Sequence, residues 1–181
     1  MPREESKNWD RGTARAPYYE QDLQEAKELA EREQTLRKVI KPDEMPWEDC
    51  RHGRLKHLLN EKIDARVHTL DAYIQELPPG GSSGKHRHMA EELLYVLDGK
   101  GYDLHWDVDV EIKDKYYWKV SSEAKRFEWE EGDVVYIPLN TVHQHFNLDG
   151  SRAARFISAT NRMYKYMGYH DLEQIEDAPG L

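Results

Sequence analysis

The sequence predicts an all-β domain with an N-terminal α-helical extension, on three observations. From residue 53 onward, β-forming apolar runs recur with turn residues between them every eight to twelve positions, the rhythm of a sandwich or barrel. Two of those runs, Leu93-Leu94-Tyr95-Val96-Leu97 and Val134-Val135-Tyr136-Ile137, are apolar at both parities. A strand with one wet face alternates, so both faces of these strands need cover. Residues 17–40, by contrast, place Leu23, Ala26, Leu29, Ala30, Leu36 and Ile40 at helical spacing in a charged background.

Taken in order, residues 1–16 are polar and aperiodic and are expected to form a loose arm. Pro17 suits a first helical turn. Glu20, Asp22 and Glu25 near the start and Arg37 and Lys38 near the end suit the helix dipole. Residues 41–52 hold Pro42, Pro46, Trp47 and Cys50 and read as a connecting loop. The predicted strands follow at 53–60, 66–77, 100–111, 116–120, 126–129 and 153–158, beside the two apolar runs. The stretch 100–131 is longer than two strands need, so its hairpin should project or carry an extra loop. Residues 164–181 show no clear period and read as irregular or short helix. The domain plan is an arm and amphipathic helix at 1–52, a barrel at 53–162 and a tail at 163–181 packed on the barrel.

A length of 181 residues allows one domain with a real core. The formal net charge of −9 argues against nucleic acid as a partner, since phosphate binding needs clustered Lys and Arg. No apolar run is long enough to span a membrane. The charged first ten residues lack the apolar core of a secretory signal. The lone Cys50 reads as a structural thiol. Together these predict a cytoplasmic protein.

The chemistry gathers in two stretches. His86 and His88 are two apart, so on a strand both imidazoles face one point. Glu92 follows and opens the first apolar run. Its parity matches Leu94 and Val96, whereas Glu91 has the opposite parity. Downstream, Gly132 to Pro138 reads as a turn and a short buried strand. The next strand carries His143, His145 and Asn147 on one face. Imidazoles plus one carboxylate are a metal-ligand set, and one metal between the strands could take His86, His88, Glu92 and His143. His145 should also point inward, as a pocket-lining proton donor or a structural hydrogen-bonding group. Arg87, between two ligands, should point away from the metal. The face of His105 is open; His52, His57, His68 and His170 read as ordinary histidines.

These two stretches resemble the cupin superfamily. Gly80, His86, His88, Glu92 and Gly99 match the first family motif, a glycine, five residues, H-x-H, three residues, a glutamate, six residues and a glycine. Gly132, Pro138, His143 and Asn147 match the second, in which Asn140 replaces a glycine. Asn tolerates positive φ better than other non-glycine residues, so the turn can survive. The resemblance implies a double-stranded β-helix, the jelly-roll cupin barrel, with a metal in its mouth, and barrels paired as a homodimer.

The ligand set resembles that of quercetin dioxygenases, acireductone dioxygenases and germin oxalate oxidases; gentisate-type dioxygenases use a three-histidine variant. The resemblance therefore implies one divalent metal, Fe(II) first, with Mn, Ni or Zn suiting the same ligands. The expected activity is a dioxygenase joining dioxygen to a small aromatic, enolic or diketone substrate, with Glu92 and His145 as catalytic residues. Two alternatives stay open: a non-oxidative metal-dependent isomerase, decarboxylase or lyase, and a non-catalytic small-molecule-binding or regulatory protein.

Overall fold

The computed structural model describes residues 14–169 and 172–180, with the backbone alone at Tyr116. The expected loose arm lies almost wholly outside these residues, as does His170. The chain divides into two units, residues 1–36 and 37–181.

The first unit is built on α1 (Tyr18–Glu33), with Pro17 at the N-cap. Gln24 donates to Glu28 one turn on, at 2.7 Å. The helix stops short of the predicted Ile40. The backbone of Arg37 is instead held in an extended bridge: its N–H donates to Asp64 O and its carbonyl accepts from Arg66 N, at 3.0 and 2.8 Å. A helical residue cannot make that pairing.

Among the described residues, the second unit holds thirteen strands. They are β1 (Trp47–Cys50), β2 (Gly53–Leu59), β3 (Leu70–Leu77), β4 (Lys85–His88), β5 (Glu92–Asp98), β6 (Lys100–Trp106), β7 (Val108–Ile112), β8 (Tyr116–Val120), β9 (Lys125–Glu130), β10 (Val134–Ile137), β11 (Val142–Asn147), β12 (Ala154–Asn161) and β13 (Leu172–Glu176), with a short helix α2 (Met163–Tyr166) before the last. One sheet runs β1-β2-β3-β12-β5-β10 and a second β13-β4-β11-β6-β9, all antiparallel. The pair β7-β8 forms a sheet of its own, so the single strand predicted over 100–111 is broken at Asp107 into β6 and β7. Two predicted irregular stretches prove to be strands. Residues 47–50 pair with β2 through a two-residue turn, and residues 172–176 pair with β4.

The alternation of β5 explains where the site and the core sit. Glu92, Leu94 and Val96 are buried, while Leu93 and Tyr95 are exposed. One strand thus runs from the polar site into an apolar core of Leu77, Leu94, Val96, Trp129, Val135, Ile137, Ala154 and Phe156. Burying a side chain of the Val, Leu or Phe kind contributes about 1.5–3 kcal/mol. Two turns hold the motif strands in register. Asn140 adopts φ 59°, the left-handed conformation its amide side chain tolerates. Gly99 has φ 94°, and a Cβ there would lie 2.6 Å from that of Ala154.

Candidate metal centre

Strand pairing brings the predicted ligands together from both sheets. His143 on β11 stands opposite His86 on β4, and β5 of the other sheet carries Glu92. One ligand atom from each of His86, His88, Glu92 and His143 lies within 4.8 Å of all the others, so the four could hold one metal ion. Glu91 does not join them; it is exposed and accepts a 2.6 Å hydrogen bond from the Tyr136 hydroxyl.

The chemistry of the donors fits a cation. Each histidine turns Nδ1 to a backbone carbonyl two residues away: His88 to Ala90 O at 3.0 Å, His143 to Thr141 O at 2.9 Å and His86, more loosely, to Gly84 O at 3.4 Å. A carbonyl only accepts, so the proton sits on Nδ1 and Nε2 offers its lone pair inward. His88 Nε2 and His143 Nε2 lie 2.9 and 3.2 Å from Glu92 Oε2. The His143 Nε2 is buried and has no partner in hydrogen-bond geometry among the described residues. Lone pairs converging on a carboxylate are resolved by a positive ion between them.

The surroundings hold the ligands in their binding forms. Burial, with His143 and His52 nearby, pushes His86 well below the ordinary histidine range. Burial also lowers His143, although Glu92 pulls the other way. Burial alone would raise the Glu92 carboxyl, but the imidazoles of His143 and His88 beside it keep it well below the usual carboxylate range. Its other oxygen accepts from the Ser158 hydroxyl and, at 3.4 Å, from the Tyr73 hydroxyl. Neutral imidazoles and an ionised carboxylate are the states a metal needs.

His145 points inward as expected but stands apart from the four. Its ring centroid is 5.4 Å from that of His143, and its Nδ1 lies 2.9 Å from Asp103 Oδ1 on the neighbouring β6. Burial would lower His145, but Asp103 outweighs it and the group is raised. Trp129 Nε1 donates 2.8 Å to the same Asp103 oxygen. His105 is also inward-facing, buried 3.6 Å from Asp103 Oδ2 and against the Phe127 ring. Asp103 was legible only by parity with His105, once the face of β6 was known.

Arg87 is engaged outside the ligand cluster: its stem is covered and its guanidinium donates to Glu173 at 2.7 Å and Asn140 Oδ1 at 3.1 Å. It thereby ties β13 to the turn before β11. One expectation needs correction: His52 is not an ordinary histidine. It closes the β1–β2 turn with its ring against His86, centroids 4.1 Å apart, and burial pushes it down to about 3. No sequence spacing links His52 to the motifs. His57, by contrast, is satisfied by Glu48 at 2.7 Å. Cys50 is a free, half-buried thiol raised by burial, the reverse of an activated nucleophile.

A cavity of about 820 Å³ opens onto this centre. Its wall includes His52, Tyr73, His86, His88, Tyr166 and Leu172, supplied by the β1–β2 turn, β3, β4, α2 and β13.

The family described as "Auxin binding protein" matches residues 31–171, most of the chain and all four candidate ligands. The chain belongs to the auxin-binding protein family. Comparison with curated proteins finds no match. Among solved structures, a formate complex of Lactobacillus farciminis oxalate decarboxylase superposes with a TM-score of 0.55 at 19% identity, covering 74% of this chain and 34% of that one. Vicilin from Corylus avellana (hazelnut) superposes with a TM-score of 0.56 at 17% identity, covering 76% of this chain and 36% of that one. The family member thus spans about a third of each neighbour, and at these identities the likeness is one of fold. That fold is the mostly-β, two-sheet cupin fold with an N-terminal helix. Among the described residues no helix is long and apolar enough to cross a membrane.

Proposed function

We propose that this protein binds a small organic anion at a divalent metal held by His86, His88, Glu92 and His143. One observation carries the reading: His86 and His88 belong both to the ligand cluster and to the wall of the 820 Å³ cavity. Whatever fills the cavity therefore lies against the ligand imidazoles. The volume is that of a pocket for a molecule of ordinary drug size. A divalent ion supplies a positive Lewis-acid centre when bound. With one carboxylate among the four ligands, a net positive charge remains, which favours an anionic partner. The family description makes an auxin-like aromatic acid the first candidate. Tyr73, Tyr166 and Leu172 offer such a ring apolar surface.

Calorimetric titration with indole-3-acetate, before and after loading with Zn²⁺ or Mn²⁺, tests this. Binding to the loaded protein and none to the stripped protein is expected; equal binding to both overturns the metal's part.

A catalytic reading draws on a separate observation, the buried Asp103–His145 pair one layer behind His143. In that reading His145 supplies or orients a proton and Glu92 accepts one. The reaction is a dioxygenation of a phenolic, enolic or diketone substrate with Fe(II), or a non-oxidative cleavage or isomerisation. Oxygen uptake by iron-loaded protein against such a panel separates these from simple binding; no uptake and no product leaves the binding function alone. The assembly proposed is a homodimer. Leu93, Tyr95, Val134 and Tyr136 share an outer face of β5 and β10 at 44–58% exposure, more apolar surface than a strand needs to show water. Light scattering that gives a mass near the 21.4 kDa of one chain at micromolar concentration refutes it.

A further inference from the structure

The wall of the cavity holds one side chain that neither the ligand set nor the fold explains. His52 is the second residue of the two-residue turn joining β1 to β2. Such turns ordinarily lie in solvent. This one is pinned from three directions. His52 O accepts from Gly84 N at 3.1 Å and from Gln75 Nε2 at 2.9 Å, and Arg51 O accepts from Ala178 N at 2.8 Å. Gly84 makes the approach possible, because a Cβ there would come within 2.7 Å of Arg51 O and 2.9 Å of Glu176 O. The clamp holds the imidazole beside a metal-ligand ring, 4.1 Å from His86 and 6.2 Å from Tyr73 between centroids.

The ring itself gains nothing from this placement in the protein alone. Both His52 nitrogens are buried, and neither has a hydrogen-bond partner among the described residues. Each of the three ligand histidines, by comparison, has its Nδ1 on a carbonyl. Leaving two polar atoms without partners is costly, and an unmet pair in a native wall calls for a partner that arrives from outside. His52 lines the cavity, so that partner is the cavity's occupant. It is not a fifth metal ligand, since the cluster with mutually close ligand atoms comprises His86, His88, Glu92 and His143 without it.

We infer that His52 grips the bound anion: its ring N–H donates to a ligand oxygen, so that ligands with two oxygens, such as carboxylates, are selected over those with one. The inference rests on the metal-dependent binding proposed above and adds the residue that reads the second oxygen. A neutral imidazole carries one donor and one acceptor, which also lets it serve a hydroxyl beside a carboxylate.

The test uses zinc-loaded full-length protein, indole-3-acetate as the two-oxygen probe, and its alcohol counterpart as the one-oxygen probe. His52→Leu should bind the acid about tenfold more weakly, the scale of one hydrogen bond of about 1.4 kcal/mol. His52→Gln, which keeps a donor and an acceptor, should stay within about threefold of wild type. Metal content should be unchanged in both, and the alcohol should not discriminate between the variants. In wild type, nitrogen NMR of the His52 ring should shift on titration with the acid, a readout that needs no substitution to fold. Equal affinity of His52→Leu and wild type overturns the inference while leaving the metal-dependent reading intact. So does an unmoved His52 resonance at saturation. Loss of metal along with affinity in His52→Leu also overturns it, by assigning the ring to the metal centre. If wild-type protein binds neither probe with zinc present, both readings fall together.

Discussion

Replacing Asn147 by Ala offers the sharpest test of how the second motif holds the barrel. Asn147 shares its strand face with His143 and His145 but does not reach the metal cluster; it is 4% exposed and ties together three chain segments. Its Nδ2 lies 3.3 Å from Leu77 O, 3.0 Å from Pro78 O and 2.8 Å from Arg152 O, and its Oδ1 accepts from Asp149 N at 2.9 Å. In the variant, water can reach the exposed Pro78 and Arg152 and the half-buried Asp149, but not the buried Leu77. One buried carbonyl left unmet costs about 1–3 kcal/mol, and each re-solvated bond about 0.5–1.5 kcal/mol. With three bonds re-solvated, the expected loss is about 2.5–7.5 kcal/mol. At roughly 2–4 °C per kcal/mol for a chain of this size, Tm should fall by about 5–30 °C. Thermal melts followed by circular dichroism, with metal content measured alongside, decide it. A shift below about 2 °C refutes the reasoning, and so does a loss of metal without a loss of stability.

Three further outcomes are expected. Glu92→Gln keeps the shape but removes the cluster's negative charge, so metal affinity should fall by more than the ~10- to 100-fold typical of a lost supporting residue; chelator competition measures it. Asp103→Asn should cost about 3–5 kcal/mol, the scale of breaking a buried ion pair. Asp103 is held below its unfolded value of about 3.9, so its contribution is complete above that pH and lost as pH falls through the folded value. His145 is raised above about 6.5, so its contribution is complete below that pH and fades as pH rises through the folded value. The variant's deficit in denaturant melts should thus be largest between about pH 4 and 6.5 and narrow on the alkaline side. Gly101→Ala would set a Cβ 2.0 Å from Phe146 O and 2.3 Å from the Trp129 ring; with backbone on one side, a loss at the upper end of about 1–3 kcal/mol is expected in the same melts.

Much of the centre was legible because period-two parity is a strong constraint on short strands. Parity, together with the spacing of the motif the chain resembles, separated Glu92 from Glu91, and parity aimed His86, His88, His143 and His145 inward. Parity says nothing about a residue in a turn, which is why His52 was misread: the turn is held by hydrogen bonds from Gly84 and Gln75 to His52 O and from Ala178 to Arg51 O, all distant in sequence. The strands β1 and β13 were hidden for a related reason. Trp47–Cys50 and Leu172–Glu176 are edge strands with exposed, mixed side chains, and only their partners β2 and β4 make them strands. The helix end failed because Arg37 is drawn into a bridge with Ala65 that no local pattern announces.

The order of the ligands along the chain has a thermodynamic consequence. His86, His88 and Glu92 fall within seven consecutive residues, whereas His143 lies fifty-one further on. An unfolded chain therefore already carries a loose three-donor clutch, and only the fourth donor must await closure of a long loop, at an entropic cost that grows slowly with its length. By mass action, a metal stabilises the native state only to the extent that it prefers it over the denatured one, and affinity for the denatured chain subtracts from the gain. Metal should accordingly raise the melting temperature of this protein by less than its native dissociation constant alone would give, and His143→Ala should shrink that rise further than it weakens metal retention by the unfolded chain.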